Sequence, residues 1–137
     1  MRLSPISSLL PAFVLSFVVL CAPLPALADC DKAATQTDMN ICSYDHYKAA
    51  DAELNRLYRT KMRALTAPGS KERLKAAERA WVAFRDASCL YEVGPREESG
   101  TIWPLLMNSC MLRLTRERIA AMQEYVECTR GEDFCPQ

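Results

Sequence analysis

The sequence predicts an all-α protein, a small up-down-up three-helix bundle stapled by disulfides. Apolar residues recur at three- and four-residue steps in three separate stretches, as on one face of a helix. No stretch alternates apolar and polar residues with a period of two, which argues against strands. The chain has 137 residues and about half are apolar, which suffices for one domain with one core.

Residues 1–28 are predicted to form a cleaved secretory signal peptide. An uncharged apolar stretch over residues 6–22 is followed by the small-residue pattern Ala26-Leu27-Ala28. A transmembrane anchor is the alternative, but Pro11 interrupts the stretch and a cleavage pattern closes it. Cys21 lies at a position where a signal peptide can carry a lipid attachment site. Such a site requires a small residue before the cysteine, and Leu20 is not small. We therefore expect a periplasmic or secreted domain over residues 29–137, with no membrane span after cleavage.

The amino-acid composition argues against several classes of function. Seventeen basic side chains balance 17 acidic ones, whereas a nucleic-acid-binding protein needs a basic patch for the phosphates. The single histidine argues against a His-based triad or a His-rich metal site, and no glycine-rich phosphate loop is present. We expect no nucleic-acid partner, no cofactor and no metal.

Local signals place the ends of the three helices. Thr35 is predicted to cap the first helix, which ends before the sequence Ala67-Pro68-Gly69. Ser70 is predicted to cap the second helix, and Thr101 the third. Between the last two helices, residues 92–100 form the longest predicted loop.

The apolar stripe of each helix predicts the core. The stripes consist of Met39, Cys42, His46 or Tyr47, Ala50, Leu54, Leu57, Tyr58, Met62 and Leu65; of Leu74, Ala77, Trp81, Phe84, Ser88 and Tyr91; and of Met107, Cys110 or Met111, Leu114, Ile119, Met122 and Val126.

Cleavage removes Cys21 and leaves six of the seven cysteines, an even number that indicates disulfides in an exported chain. A zinc site is the alternative, but there is no CxxC pair and His46 has only Cys42 in ligand spacing. The predicted topology gathers four cysteines at one pole and two at the other. The preferred pairs are Cys30 with Cys42, Cys89 with Cys110, and Cys128 with Cys135. For the four cysteines at one pole, the alternative pairing of Cys42 with Cys89 and Cys30 with Cys110 also stays open.

Paired carboxylates raise the question of an enzyme. A glycosidase needs two of them facing one bond, and Asp51, Glu53, Glu78 and Asp86 are available. The four-residue spacing of Asp51 and Asn55, and of Trp81 and Arg85, favours a structural role instead. We interpret five residues as a polar seam that locks the first helix to the second, and we predict no catalytic residue. The predicted seam consists of Asp51, Asn55, Arg79, Trp81 and Arg85.

Several runs carry a resemblance to a known family. Residues 50–58 read Ala-Asp-Ala-Glu-Leu-Asn-Arg-Leu-Tyr, and residues 81–89 read Trp-Val-Ala-Phe-Arg-Asp-Ala-Ser-Cys. With Cys30, Cys42 and the Gly-Thr-Ile-Trp-Pro run at 100–104, they make the chain resemble the LprI-type lysozyme inhibitor family. The resemblance implies a small exported helical domain that can inhibit lysozyme, and it supplies no catalytic motif.

Two classes of function remain: a binding module that blocks lysozyme or another cell-wall hydrolase, and a scaffolding domain of the envelope. For the first class, the loop carrying Arg96, Glu97 and Glu98 is the candidate partner-binding site. Arg96 is expected to meet a cleft carboxylate, and the two glutamates to meet basic residues around the cleft. The acidic C-terminal end, with Glu124, Glu127, Glu132 and Asp133, is the alternative surface.

Overall fold

The computed structural model describes residues 30–128 and residue 135. The elements in this part are all helical, which confirms the prediction of an all-α protein. They are a 3₁₀ turn at Cys30–Lys32, α1 at Gln36–Ala64, α2 at Ser70–Val93, α3 at Arg96–Ser99, a 3₁₀ turn at Gly100–Ile102, and α4 at Trp103–Glu127. The predicted signal peptide lies outside the described residues, within which no helix is long and apolar enough to cross a membrane.

The start of α1 follows the local sequence signal. Thr35 is extended, and its Oγ1 accepts a hydrogen bond from the backbone N–H of Asp38 at 3.1 Å, as an N-cap does. The Asp38 carboxylate in the first turn also favours the positive end of the helix dipole. The helix ends at Ala64, shortly before Pro68.

The predicted cap of α2 is wrong. Gly69 is the N-cap, with a φ of 72° that a side chain would disfavour, and Ser70 is the first helical residue. The Ser70 hydroxyl donates to the carbonyl of Ala67 at 2.7 Å, so it closes the preceding turn instead of accepting from a helix N–H.

The long loop predicted between the last two helices is also wrong. α2 continues to Val93, and α3 with the second 3₁₀ turn occupies most of the remaining connection. Thr101 belongs to that turn, and the N-cap of α4 is Ile102, which makes no side-chain capping bond. Single helical turns lack the repeating apolar pattern by which the longer helices were found.

The core consists of two clusters, and α1 packs mainly on α4 while α2 also packs on α4. The first cluster contains buried Leu54, Leu57 and Met122, surrounded by Leu74, Trp81, Ile119, Tyr125 and Val126. The second contains buried Cys89, Met107, Cys110 and Leu114, with Val93, Trp103 and Met111 against it.

The stripe predicted for α2 needs a correction. Phe84 and Tyr91 are 60% and 90% exposed, so neither belongs to the core. The buried residues in the second half of α2 are Arg85 and Cys89 instead. The spacing of apolar residues predicted the wrong buried face for the second half of α2. The reason is that a charged residue, Arg85, occupies the buried position.

Among the described residues, three disulfides link six cysteines in the preferred pairs. Cys30 is bonded to Cys42 and Cys89 to Cys110, each with a Cα–Cα distance of 5.7 Å. Cys128 is bonded to Cys135, with a Cα–Cα distance of 5.5 Å. A disulfide typically contributes about 2–4 kcal/mol, which matters in a domain this small.

Candidate functional site

Residues 94–102, which we call the connecting segment, are held at both ends. The indole Nε1 of Trp103 donates to the carbonyl of Gly94 at 3.0 Å. The Nδ2 of Asn40, on α1, donates to the carbonyl of Thr101 at 3.0 Å. Close by, the disulfide between Cys89 and Cys110 joins the two helices that the segment connects. Two hydrogen bonds therefore hold the segment itself, and the disulfide fixes the two helices on either side of it.

The charged side chains of the connecting segment point to solvent. Arg96, Glu97 and Glu98 are all exposed and follow one another along the single turn of α3. Arg96 and Glu97 line a shallow depression together with Gly100 and Thr101. A Cβ atom placed on Gly94 would lie 3.4 Å from the Glu98 carboxylate, so this side chain folds back over the start of the segment. Charges of both signs thus surround a small concave surface.

Glu92, near the end of α2 and just before the connecting segment, has a different role. Both of its carboxylate oxygens accept hydrogen bonds from Nη2 of Arg113, at 2.8 and 2.6 Å. Hydrogen bonding to Glu92 raises the pKa of Arg113. Glu92 therefore joins α2 to α4, and its charge is already compensated.

Arg85 forms the centre of the polar seam between α1 and α2. Its residue exposure is 6%, and its guanidinium lies 2.7 Å from Asp86 and 3.8 Å from Asp51. The same guanidinium stacks over the rings of Trp81 and Tyr47, at 5.2 and 5.6 Å from their centroids. The structure thus brings a buried cation, two carboxylates and two aromatic rings together.

Asn55 supports the seam, whereas Arg79 does not belong to it. Asn55 Nδ2 donates to the Asp51 carboxylate at 3.0 Å, four residues earlier on α1. Arg79 is exposed and lies instead beside Tyr58 at a surface groove, so its assignment to the seam was wrong. Its position six residues before Arg85 places it on another side of the helix.

Tyr47 belongs to this seam but was seen in the sequence only as a possible apolar contact. Burial of the phenol raises the pKa of Tyr47, and the nearby Arg85 guanidinium opposes part of that effect. The only sequence signal was its place four residues before Asp51 on the same helix face.

Glu78 and Arg118 form a second contact between helices. The Arg118 guanidinium donates to Glu78 through both Nε, at 3.0 Å, and Nη2, and each side chain is 14% exposed. Burial lowers the pKa of Arg118, but the hydrogen bonds that Arg118 donates to Glu78, the attraction between the two charges and a smaller effect of Tyr125 together outweigh burial and raise the pKa overall. Forty residues separate the partners, so no local pattern could have revealed this pair.

The four carboxylates considered for catalysis all accept hydrogen bonds from neighbouring side chains. Asp51 accepts from Asn55, Glu78 from Arg118 and Asp86 from Arg85. Glu53 accepts from Arg56 at 2.7 Å, and this hydrogen bond lowers the pKa of Glu53. A glycosidase acid needs a raised pKa, which is the opposite of the shift at Glu53. Of these hydrogen bonds, the one between Glu78 and Arg118 joins two helices, whereas those of Asp51, Glu53 and Asp86 each lie within one helix.

Cys30, Cys42 and His46 lie close together at the start of α1. Their ligand atoms are all within 4.8 Å of one another, and His46 Nδ1 is 3.7 Å from the Cys30 sulfur. Metal ions bind the thiolate form of cysteine, and here the two sulfur atoms are bonded to each other. In this oxidised state the cluster is a disulfide with the His46 imidazole beside it. The spacing of Cys42 and His46 in the sequence did not indicate that Cys30 would lie next to this imidazole.

The described residues thus form a small helical domain with disulfides, paired internal charges and an exposed connecting segment. The chain belongs to the LprI lysozyme inhibitor family, because the family model described as "Lysozyme inhibitor LprI" matches residues 29–122. It is also 39% identical over 127 residues to an uncharacterized protein of Rhizobium meliloti (strain 1021), an alignment that covers 80% of this chain and 91% of the relative. No solved structure matches the chain significantly.

Proposed function

We propose that this protein is exported after removal of residues 1–28 and inhibits lysozyme, or another cell-wall hydrolase, by occluding its active-site cleft. Membership of the LprI family supports inhibition as the activity. The domain of residues 29–137 would then act in the periplasm or outside the cell as a binding protein that performs no chemistry.

The observation that carries the occlusion mechanism is the double anchoring of the connecting segment. The bonds from Trp103 to Gly94 and from Asn40 to Thr101 hold its backbone before any partner arrives. A pre-ordered segment loses little conformational entropy on binding, which leaves more of the contact energy for affinity. The segment is thus suited to entering a cleft as one rigid unit.

The charges of the connecting segment fit a hydrolase cleft. Arg96 is placed to pair with a carboxylate inside the cleft, while Glu97 and Glu98 are placed to meet basic groups at its rim. Complementary charges of this kind mainly raise the association rate and select the partner. Inhibition through this surface should therefore weaken as the salt concentration rises.

The experiment is a turbidity assay of lysozyme on bacterial cell walls with the oxidised mature protein. We expect stoichiometric inhibition by the natural sequence and its loss in a triple variant, Arg96→Ser, Glu97→Ser and Glu98→Ser. The control variant, Lys71→Ser with Glu72→Ser, removes two exposed charges at the start of α2 and should inhibit normally.

Both variants should keep the natural melting temperature, because exposed substitutions usually change stability by less than about 0.5 kcal/mol. Full inhibition by the triple variant would exclude the connecting segment. A further variant, Glu124→Ser with Glu127→Ser, would then test the acidic C-terminal end.

We further propose that α1, α2 and α4 run up, down and up. Near their starts, α1 and α4 meet where Asn108 donates to Ser43 at 3.1 Å. Further along, Leu57 of α1 packs with Met122 of α4. The end of α2 is bonded to the early part of α4 through Cys89 and Cys110. These contacts support parallel first and last helices with α2 antiparallel to them.

A further inference from the structure

A pocket of about 430 Å³ lies where the end of α1, the start of α2 and the end of α4 meet. Its volume is within the usual range for small-molecule sites, about 300–1,000 Å³. Among the described residues, the lining is mainly apolar and includes no acidic side chain. It consists of Lys61, Leu65, Ser70, Arg73, Leu74, Ala77 and Tyr125.

Lys61 is the unusual member of this lining. The residue is only 7% exposed, yet among the described residues no hydrogen bond or ion pair engages its ammonium group. A buried cation without a partner is costly, so it normally keeps contact with water or finds an anion. The ammonium is not among the fully enclosed polar atoms, and Lys61 lines the pocket, so the pocket supplies its solvent contact.

A second cation lies at the same pocket. Arg73 is exposed, and its Nη1 lies 3.4 Å from the carbonyl of Pro68, which keeps the guanidinium near the turn before α2. The pocket therefore combines one buried and one exposed positive charge with the apolar side chains of Leu65 and Leu74. The Ser70 hydroxyl donates its hydrogen to the carbonyl of Ala67, so this hydrogen is not directed at a ligand in the pocket.

We propose that this pocket binds a carboxylate carried on a short apolar chain, with the carboxylate paired to Lys61 and the chain against Leu65, Leu74 and Tyr125. An ion pair formed in a pocket with mainly apolar walls is stronger than the same pair on the open surface. The chemistry fits both a medium-chain fatty acid and the free C-terminus of a peptide with an apolar last residue. The site is separate from the connecting segment and stands independently of the proposed inhibition.

The test is titration calorimetry with decanoate, below its aggregation concentration, on the oxidised protein. We expect saturable binding of one equivalent, and at least about tenfold weaker binding to a Lys61→Met variant, which keeps the stem and removes the charge. Lys75→Met removes an exposed charge from α2 outside the pocket and should leave the affinity unchanged. Decanol, with the same chain and no charge, should bind the natural protein and the Lys61→Met variant equally weakly.

A second variant guards against misfolding of the first. Ala77→Phe adds a large side chain to the exposed part of the pocket wall and leaves Lys61 in place, so it should block decanoate while the melting temperature stays close to natural. A tetrapeptide ending in leucine, compared with its C-terminal amide, distinguishes a peptide from a fatty acid as the source. The proposal is overturned if neither carboxylate binds more tightly than its uncharged counterpart, or if Lys61→Met binds as tightly as the natural protein.

Discussion

Replacing Arg85 with methionine should destabilise the protein by about 2–3 kcal/mol. The side chain is almost fully buried, and methionine retains most of its stem but none of its charge. The charged hydrogen bonds to Asp86 contribute about 1 kcal/mol, toward the low end for such bonds because that carboxylate is half exposed. Stacking on Trp81 and Tyr47 adds about 0.5–1 kcal/mol for each ring.

The assay is urea unfolding followed by circular dichroism, together with a thermal melt. A loss of this size corresponds to a fall in melting temperature of roughly 10–20 °C for a domain of about 100 residues. Arg79→Met, on the same helix but exposed, is the matched control and should change the unfolding free energy by less than about 0.5 kcal/mol. Arg85→Lys should be intermediate, because an ammonium cannot stack on two rings as a planar guanidinium does. An Arg85→Met variant as stable as the natural protein would refute the structural role of the seam.

Four further predictions concern the core, the disulfides, Tyr47 and Thr115. Trp81→Ala should cost about 3 kcal/mol by opening a cavity beside Leu54 and Met122, and a variant that melts like the natural protein would contradict this. Reduction should add six hydrogens to the mass of the oxidised mature protein, which should contain no titratable thiol. Because burial raises the pKa of Tyr47 above its unfolded value near 10, its contribution to stability should be complete below pH 10 and decrease as the pH rises through the folded pKa. Tyr47→Phe should remove the late step in tyrosinate absorbance and flatten that pH dependence. Thr115→Val should stabilise the protein by about 1 kcal/mol in a denaturant titration, because the buried Thr115 hydroxyl has no hydrogen-bond partner in the described residues.

Features with a short-range cause could be predicted from the sequence. The cap at Thr35 depends on Asp38 three residues later. The buried face of α4 is apolar apart from Thr115, so Leu114 and Met122 were placed correctly in the core. The assumed helix order brought Cys30, Cys42, Cys89 and Cys110 to one pole but left two pairings of these four open. The structure shows the preferred pairing, Cys30 with Cys42 and Cys89 with Cys110.

Features that depend on distant partners could not be predicted in the same way. Arg118 finds Glu78 only after α2 and α4 have packed, and Tyr47 meets Arg85 only across the contact between α1 and α2. Phe84 was misplaced because helical spacing cannot distinguish an apolar residue on the buried face from one on the exposed face when the buried face carries an arginine. The pocket beside Lys61 is likewise formed by residues from three helices, so no single stretch of the sequence predicts it.

The packing of α1 mainly on α4 has a consequence for the order in which the chain can fold. Leu54 and Leu57 are buried against Met122, which is synthesised about 65–70 residues later. Until α4 has emerged, the apolar face of α1 lacks its main partner, and bringing the two together closes a long loop at an entropic cost. Folding of this domain should therefore begin only when almost the whole chain is present, which keeps the growing polypeptide unfolded during synthesis and makes every truncation before α4 unstable.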